Sequence, residues 1–215
     1  MTRLFNQRST RLHLLLPLLA LVAGCQAAGV LLYKTMGDPE IPAQYELPKK
    51  PTIIMVENFR HSGMTADDAD LLGRLVHQKA TAINLVPLIA YEKLLELKAT
   101  QPIQYGKMTV TEIARKLEAE QVLYIHLESG GVASMGGGSV HQGKASVLVK
   151  VIDATTGDTL WPAEIEDGRG VNAETNPIRG TDRYRPEDIR TQLYDDLAMK
   201  IVRLFHKWKP DSSDQ

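Results

Sequence analysis

The sequence predicts an α/β domain: a mixed sheet of four to five strands, with a parallel half and an antiparallel hairpin, covered by helices. Three observations lead to this prediction. An apolar run at 52–56 is followed by a helical pattern, a long alternating segment at 141–153 leads into a tight turn, and an amphipathic segment begins at Pro186. The order of elements is strand, helix, strand, helix, helix, strand, strand, strand, helix.

The first half of the domain supplies the parallel part of the sheet. Residues 52–56 form a short apolar run with β-branched side chains, which is typical of a strand buried on both faces. Thr65 is placed to cap a helix that keeps its apolar spacing to about Asn84. A second strand at 85–89 and a short helix at 92–98 complete this half.

The middle of the chain begins with a helix-capping signal. Thr109 and Glu112 have the spacing of a capping box, in which two side chains satisfy free backbone donors at the start of a helix. The helix that follows them leads to a strand at 122–127. A glycine-rich segment at 129–139 is predicted to be a loop, the tip of a hairpin between two strands.

The last third contains the antiparallel hairpin and the clearest helix. The segment 141–153 alternates along its length, and a turn at 154–157 returns the chain into a short strand at 158–161. Residues 164–185 are charged, contain glycine and proline, and are predicted to be a loop. The helix from Pro186 has acids in its first turn, bases in its last turns and one apolar stripe, formed by Ile189, Leu193, Leu197, Ile201, Leu204, Phe205 and Trp208.

The amino terminus has the organisation of an export signal. A start with three arginines and no acidic residue precedes an apolar run that ends in the sequence VAGC at residues 22–25. This ending resembles the lipobox of bacterial lipoproteins. The resemblance implies cleavage after Gly24 and attachment of lipid to the thiol of Cys25, which is the only cysteine of the chain. Several acyl chains hold a protein firmly in a bilayer, whereas one gives only marginal binding.

Two membrane locations stay open. An aspartate directly after the cysteine would resemble the inner-membrane retention signal of enteric bacteria. This chain has Gln26 at that position, which favours the periplasmic side of the outer membrane. Residues 14–33, however, contain no charged side chain and are long enough to cross a bilayer, which takes roughly 17–25 residues. An uncleaved signal anchor in the inner membrane is therefore the alternative. Both interpretations put the residues after Lys34 outside the cytoplasm, in the cell envelope.

The sequence divides into four parts on this basis. Residues 1–24 are the predicted lipoprotein signal peptide, and residues 25–50 are a lipid-anchored tether that contains prolines. Residues 51–209 form a single α/β domain, and residues 210–215 are a polar tail that we expect to be disordered.

Composition excludes several classes of function. The signal peptide holds three of the 25 basic residues and none of the 26 acidic ones, so the mature chain has four more acidic than basic residues. This balance argues against nucleic-acid binding, which needs a dense positive surface. The single cysteine excludes an intramolecular disulfide and a thiolate zinc cluster. We expect no cofactor.

Three segments resemble a known group of envelope domains. Residues 56–59 (VENF) end the first strand, residues 113–124 join a helix to a strand, and residues 151–161 form a hairpin closed by tryptophan. In this order behind the lipobox, they resemble the CsgG, TolB amino-terminal and LpoB-like domains over roughly Pro51 to Trp208. The resemblance implies a periplasmic α/β fold. Its members differ in function, since some form secretion pores, some activate peptidoglycan synthases and some bridge envelope proteins.

No catalytic residue and no metal site is predicted. His126 and His141 flank the glycine-rich segment with Glu128 nearby, but ordinary strand histidines are the preferred interpretation of this pattern. Glu57 ends a buried strand, where binding residues often collect in α/β folds, and is a candidate contact for a ligand or partner.

A basic segment is the second candidate contact. Arg183 and Arg185 lie between Arg179 and Arg190 and form a local positive patch suited to an acidic partner surface, or a solvated loop. The acidic residues at 67, 68 and 70 are interpreted as a charged helix start.

These observations favour a non-enzymatic envelope lipoprotein. Its α/β domain is expected to bind an unidentified envelope protein or to support assembly of an envelope complex, and self-association into a homo-oligomer is compatible with this role. The alternatives are a signal-anchored periplasmic domain, an enzyme that acts on cell-envelope polymers through Glu57 or loop carboxylates, and a structural spacer.

Substitution of Cys25 tests the lipid anchor. We expect the native wild-type protein to begin at residue 25 and to carry acyl groups, and we expect Cys25→Ser to lose the acyl mass because the thiol is the attachment point. Intact-mass spectrometry of protein extracted from membranes measures both. Gln26→Ser is the control, since it changes the neighbouring residue and keeps the thiol. A wild-type protein that retains residues 1–24 with a bare thiol would identify a signal anchor instead.

Overall fold

The structure is a computed structural model that describes residues 40–58, 66–135, 140–179 and 185–210. In chain order its elements are β1 (Thr52–Glu57), α1 (Ala66–Ala82), α2 (Tyr91–Thr100), α3 (Pro102–Tyr105), α4 (Val110–Lys116), β2 (Gln121–Met135), β3 (Val140–Asp153), β4 (Thr159–Trp161), β5 (Arg169–Glu174), β6 (Ile178–Arg179) and α5 (Pro186–Arg203).

The described residues belong to two compact units. The larger unit spans Ala43–His206 and contains all the elements just named. The smaller unit is represented by residues 40–42 and 207–210. Within it, Ile41 and Trp208 exchange two backbone hydrogen bonds of 2.8 and 3.0 Å, which form an isolated antiparallel bridge.

Residues 43–50, which the sequence assigns to the tether, belong to the larger unit. Leu47 is buried, and the ring of Tyr45 stacks on Trp161 with 5.9 Å between the ring centroids. The backbone N–H of Tyr45 donates to the carbonyl of Leu204 at 3.2 Å. This part of the segment is therefore packed rather than extended.

The sheet has six strands and confirms the predicted mixed α/β class. β1 is parallel to β2, and every other pairing is antiparallel. The order is β1-β2-β3-β4, and β5 and β6 also pair with β3 beside its amino-terminal half. The expected count of four to five strands is too low, because β5 and β6 lie in the stretch 164–185 that the sequence predicts to be a loop.

Two further strand predictions are corrected. β2 continues through the glycine-rich segment as far as Met135, so residues 129–135 of the predicted loop are strand, held by continuous pairing with β3, and residues 136–139 lie outside the described residues. The apolar run at 85–89 is not a regular strand. It contributes an isolated parallel bridge between Leu88 and Thr52. The backbone N–H of Thr52 donates to the carbonyl of Pro87, and the backbone N–H of Ile89 donates to the carbonyl of Thr52, both at 2.9 Å.

The two faces of β1 enter two separate hydrophobic clusters. Ile54 and Val56 pack with α1 and α5, whereas Ile53 and Met55 pack with α2 and α4. All four residues are 0–1% exposed, which confirms the interpretation of 52–56 as a strand buried on both faces. Ile189, Leu193, Leu197 and Ile201 of α5 are all buried, so this part of the predicted apolar stripe is core. The helix ends at Arg203, and Leu204, Phe205 and Trp208 of the predicted stripe lie beyond its end.

The local signals of the sequence are present in the structure. The Thr109 hydroxyl accepts from the backbone N–H of Glu112 at 3.2 Å, and the Glu112 carboxylate accepts from the backbone N–H of Thr109 at 2.7 Å. In the β3–β4 turn, the Asp153 carboxylate accepts two backbone N–H groups, and Gly157 adopts a φ of +83° that favours glycine. Among the helices of the described residues, none combines the length and hydrophobicity needed to cross a bilayer.

The acidic start of α1 has a structural role. Asp68 is buried, and its carboxylate accepts from Nε of Arg190 in α5 at 2.6 Å. Asp70 accepts from Nζ of Lys98 in α2 at 3.2 Å. These two ion pairs join α1 to α5 and to α2. The first one compensates the buried Asp68 carboxylate, which needs a partner, and it removes Arg190 from the predicted basic patch.

Close packing of α1 on α2 depends on Gly73. A Cβ at this position would lie 2.1 Å from the hydroxyl oxygen of Tyr91 and 2.3 Å from its Cζ. We therefore expect Gly73→Ala to lower the free energy of unfolding by about 1–3 kcal/mol through overpacking. Urea unfolding of the full chain measures the change.

Gly106→Ala is the matched control, because a Cβ there meets only the carbonyl oxygen of Pro102, at an ordinary 3.6 Å. We expect this variant to stay within about 0.5 kcal/mol of wild type. Equal stabilities of the Gly73 and Gly106 variants would contradict the close contact between Gly73 and Tyr91.

Candidate functional site

The structure places Glu57 at the carboxyl end of β1, where its side chain meets two tyrosines. The Tyr105 hydroxyl, from α3, donates to Oε1 of Glu57 at 3.2 Å. The Tyr124 hydroxyl, from β2, donates to Oε2 at 3.5 Å. The parallel register explains the second contact: Tyr124 lies opposite Met55 and His126 opposite Glu57, and residues two apart share a face.

Lys98 brings a positive charge to this group. Its Nζ lies 5.6 Å from the centroid of the Tyr105 ring and 3.2 Å from the Asp70 carboxylate. A cation at this distance from an aromatic face is attracted by the ring. We call Glu57, Lys98, Tyr105 and Tyr124 the Glu57 cluster. It joins β1, β2, α2 and α3.

Burial dominates the electrostatics of the cluster. Desolvation raises the pKa of Glu57 above its ordinary value of 4.5, and the Tyr105 hydrogen bond, the charge of Lys98, the Tyr124 hydrogen bond and the charge of His126 oppose this only in part. The pKa values of Tyr105 and Tyr124 are raised as well, by burial first and then by the Glu57 carboxylate. The cluster can therefore hold a proton on a carboxyl group that remains half-buried.

The same sheet face continues past Glu57 as an open polar surface. A groove of about 400 Å³ lies over β2, β3 and β5. Its polar residues pair across the strands: the Ser129 and Ser146 hydroxyls are 2.7 Å apart, and Lys144 lies 2.9 Å from the Glu174 carboxylate. We call it the open sheet face, defined by Ser129, Lys144, Ser146, Asn172 and Glu174.

Three of the other predicted site residues, Gly24, Cys25 and Arg183, lie outside the described residues. Arg185 is exposed and directly precedes α5, where its backbone N–H donates to the Asp188 carboxylate at 3.0 Å. Its position therefore serves to begin a helix and leaves its side chain at the surface.

The histidine pair considered for metal binding is separated. His141 lies opposite Ser134, with Nδ1 of His141 3.2 Å from the Ser134 hydroxyl. His126 lies eight residues before Ser134 on β2, about 26 Å along the strand. Across the described ranges, no group of three or more metal-ligating side chains is close enough to hold an ion.

Sequence reasoning found Glu57 and missed its partners. Tyr124 could have been identified, because once β1 and β2 are paired in parallel, the period of two places it on the face of Glu57. Tyr105 carries no such signal. It belongs to a four-residue helix after Pro102, and only tertiary packing brings it to the cluster.

No protein-family model and no curated protein matches the sequence. Similar solved structures include bacterial lipoproteins. A lipoprotein from Neisseria meningitidis is 11% identical, with coverage of 72% of this chain and 99% of that chain and a TM-score of 0.45. The LpoB C-terminal domain from Salmonella enterica is 13% identical, with coverage of 64% and 88% and a TM-score of 0.36.

The PelC dodecamer from Paraburkholderia phytofirmans is also similar, at 16% identity, with coverage of 79% of this chain and 97% of that chain and a TM-score of 0.39. At these identities and TM-scores, the similarities assign the chain neither to a family nor to an activity.

Neutralising Glu57 tests the electrostatics of the cluster. Because the folded state raises the pKa of Glu57, folding binds this proton, and the wild type loses stability as the pH rises from about 4.5 through the raised pKa. We expect the stability of Glu57→Gln relative to wild type to increase over the same window. Urea unfolding of both proteins from about pH 4 to about pH 7 measures the difference.

Glu112→Gln provides a control of opposite sign. The backbone N–H and the hydroxyl of Thr109 lower the pKa of Glu112, so this carboxylate stabilises the folded protein once it is ionised. The stability of Glu112→Gln relative to wild type should therefore fall as the pH rises from the lowered pKa to about 4.5, so the unfolding of this variant is also measured down to about pH 3. A pH-independent difference between Glu57→Gln and wild type would contradict the assignment of a raised pKa to Glu57.

Proposed function

We propose that this chain is a non-enzymatic envelope lipoprotein whose periplasmic α/β domain binds a protein partner and supports assembly of an envelope complex. The observation that carries the proposal is the lipobox ending at Cys25, the only cysteine, directly after a positively charged and apolar leader. Lipid attached to Cys25 holds the domain at a membrane surface. Gln26 after the cysteine favours the outer membrane over the inner membrane. A domain held in this way works by contact with neighbouring envelope components.

The geometry of the domain supports partner binding on two surfaces. The open sheet face is a shallow polar groove, lined by both lysine and glutamate. Mixed charge on an accessible face favours selective contact with a complementary protein surface. The second surface is the basic segment that includes Arg179 and Arg185, both of which are exposed.

Site-specific photo-crosslinking in bacterial cells tests the proposal. A photoreactive residue is introduced into the full chain at Asn172 in the open sheet face, at Arg185, or at the exposed Lys93 of α2 as the control. We expect the same envelope polypeptide, identified by mass spectrometry, to be joined at Asn172 or Arg185 and not at Lys93. The absence of any adduct, or equal yields at all three positions, would count against partner binding.

One observation favours a second candidate, an enzyme that acts on envelope polymers. A carboxyl group whose pKa is raised keeps its proton to a higher pH than an exposed one, as a general acid requires, and burial raises the pKa of Glu57. Hydrolysis of glycosidic bonds typically requires a second carboxylate, whereas the contacts of Glu57 described above are with phenols. Hydrolysis of isolated cell-wall polymer by the wild-type chain, abolished in Glu57→Gln, would establish the enzyme; an inert wild type removes it.

A further inference from the structure

Residues 43–50, which the sequence assigns to the tether, are bound to the domain, and we call them the strap. The backbone N–H groups of Gln44 and Tyr45 both donate to the carbonyl oxygen of Leu204, at 2.8 and 3.2 Å. The ring of Tyr45 stacks on that of Trp161. These contacts hold the strap to β4 and to the end of α5.

The strap also covers apolar surface of the domain. Leu47 is 7% exposed and packs into the hydrophobic cluster that contains residues of α1 and α5. Trp161, which stacks with Tyr45, makes an edge contact with the buried ring of Phe205, with 5.4 Å between the centroids. Release of the strap exposes this surface to water, so the hydrophobic effect favours the docked state.

The strap has no regular secondary structure. Prolines at 42, 48 and 51 exclude a helix interior and a central strand, and none of the residues 43–50 belongs to a helix or strand. Its attachment therefore depends on a few side chains and on the backbone hydrogen bonds to Leu204. A segment held in this way can open locally while the sheet stays folded.

The chain is fixed directly after the strap. Gln121 is fully buried, and its Nε2 donates to the carbonyl of Pro48 at 2.8 Å and to the Thr52 hydroxyl at 2.7 Å. The carbonyl of Pro51 accepts from the backbone N–H groups of Glu120 and Gln121, and Thr52 begins β1. Release of the strap breaks the contact at Pro48 and leaves the pairing of β1 with β2 intact.

We propose that residues 43–50 are a releasable strap that sets the length of the tether between the lipid and the domain. While the strap is docked, the tether comprises at most residues 25–42, which span no more than about 60 Å. Complete release, which also opens the bridge between Ile41 and Trp208, adds up to about 27 Å. The inference rests on the proposed lipid attachment at Cys25, because only then does the tether hold the domain to a membrane.

Hydrogen exchange of the full, lipidated chain in detergent micelles tests the release. The backbone amides of Gln44 and Tyr45 are compared with the slowest amides of β1. We expect the two strap amides to be protected, and to exchange faster than those of β1, because opening of the strap is a smaller event than unfolding of the sheet. In Leu47→Ala, their exchange should quicken at least about tenfold, since a buried contact of the strap is lost.

Gly73→Ala is the control for exchange. It weakens the packing of α1 on α2, so it should quicken the slowest amides of β1 and leave those of Gln44 and Tyr45 within about twofold of wild type. Unprotected strap amides in the wild type would overturn the proposal. Strap amides that exchange at the rate of β1, and that Gly73→Ala quickens equally, would also overturn it, since the strap would then open only when the domain unfolds.

Neutron reflectometry of the lipidated chain on a supported bilayer tests the tether length. Tyr45→Asp/Leu47→Asp places two charges in the contacts of the docked strap, so the strap should be released. The mean distance between the bilayer and the domain should increase by about 5 Å, because eight added residues lengthen a random-coil linker by that amount. Ala99→Asp/Gln104→Asp adds the same charge at exposed positions and should leave the distance unchanged.

The two arms separate this proposal from the proposed function. An unchanged distance in Tyr45→Asp/Leu47→Asp, with its strap amides unprotected, would overturn the role in tether length and leave the lipid anchor standing. A wild type that the bilayer does not retain would overturn the lipid anchor, and the role in tether length with it.

Discussion

Burial of β1 on both faces is the constraint on which the rest of the structure depends. β1 is the first strand of the sheet order, yet Ile53, Ile54, Met55 and Val56 are 0–1% exposed. Such a strand requires helices on both sides, and α1 with α5 and α2 with α4 supply them. Hydrogen bonds from the segment 85–89 to the backbone of Thr52 help to cover the outer edge. Parallel pairing with β2 then places His126 opposite Glu57 and puts Tyr124 on the same face of the sheet.

That end carries a carboxyl group whose surroundings disfavour its negative charge and which still reaches the surface. Glu57 follows four buried residues, so its carboxyl group is drawn out of water and its pKa rises. Tyr105 and Tyr124 satisfy its oxygens without neutralising it, because phenols donate hydrogen bonds and carry no charge here. Burial of β1 and the chemistry of the Glu57 cluster are thus consequences of the same packing.

The unequal lengths of β1 and β2 decide which surfaces remain available. The second hydrophobic cluster lies over β1 and the paired parts of β2 and β3, and beyond it the open sheet face and the edge at 129–134 are accessible. The open sheet face is formed by β2, β3 and β5, and residues 129–134 belong to β2.

The sequence by itself determined the elements that rest on local signals. The twice-buried strand at 52–56, the Thr109 capping box, the turn before Gly157 and the apolar stripe of α5 are each defined within a few residues, and every one of them is present in the structure. Only the tertiary structure decided the rest. The glycine-rich residues 129–135 form a strand because β3 pairs with them. The apolar residues 85–89 do not form a regular strand, because they make only an isolated bridge to Thr52. The sequence identified Glu57 as a candidate contact. It did not identify Tyr105, which lies 48 residues further along the chain, because contacts between distant segments leave no periodic signal in the sequence.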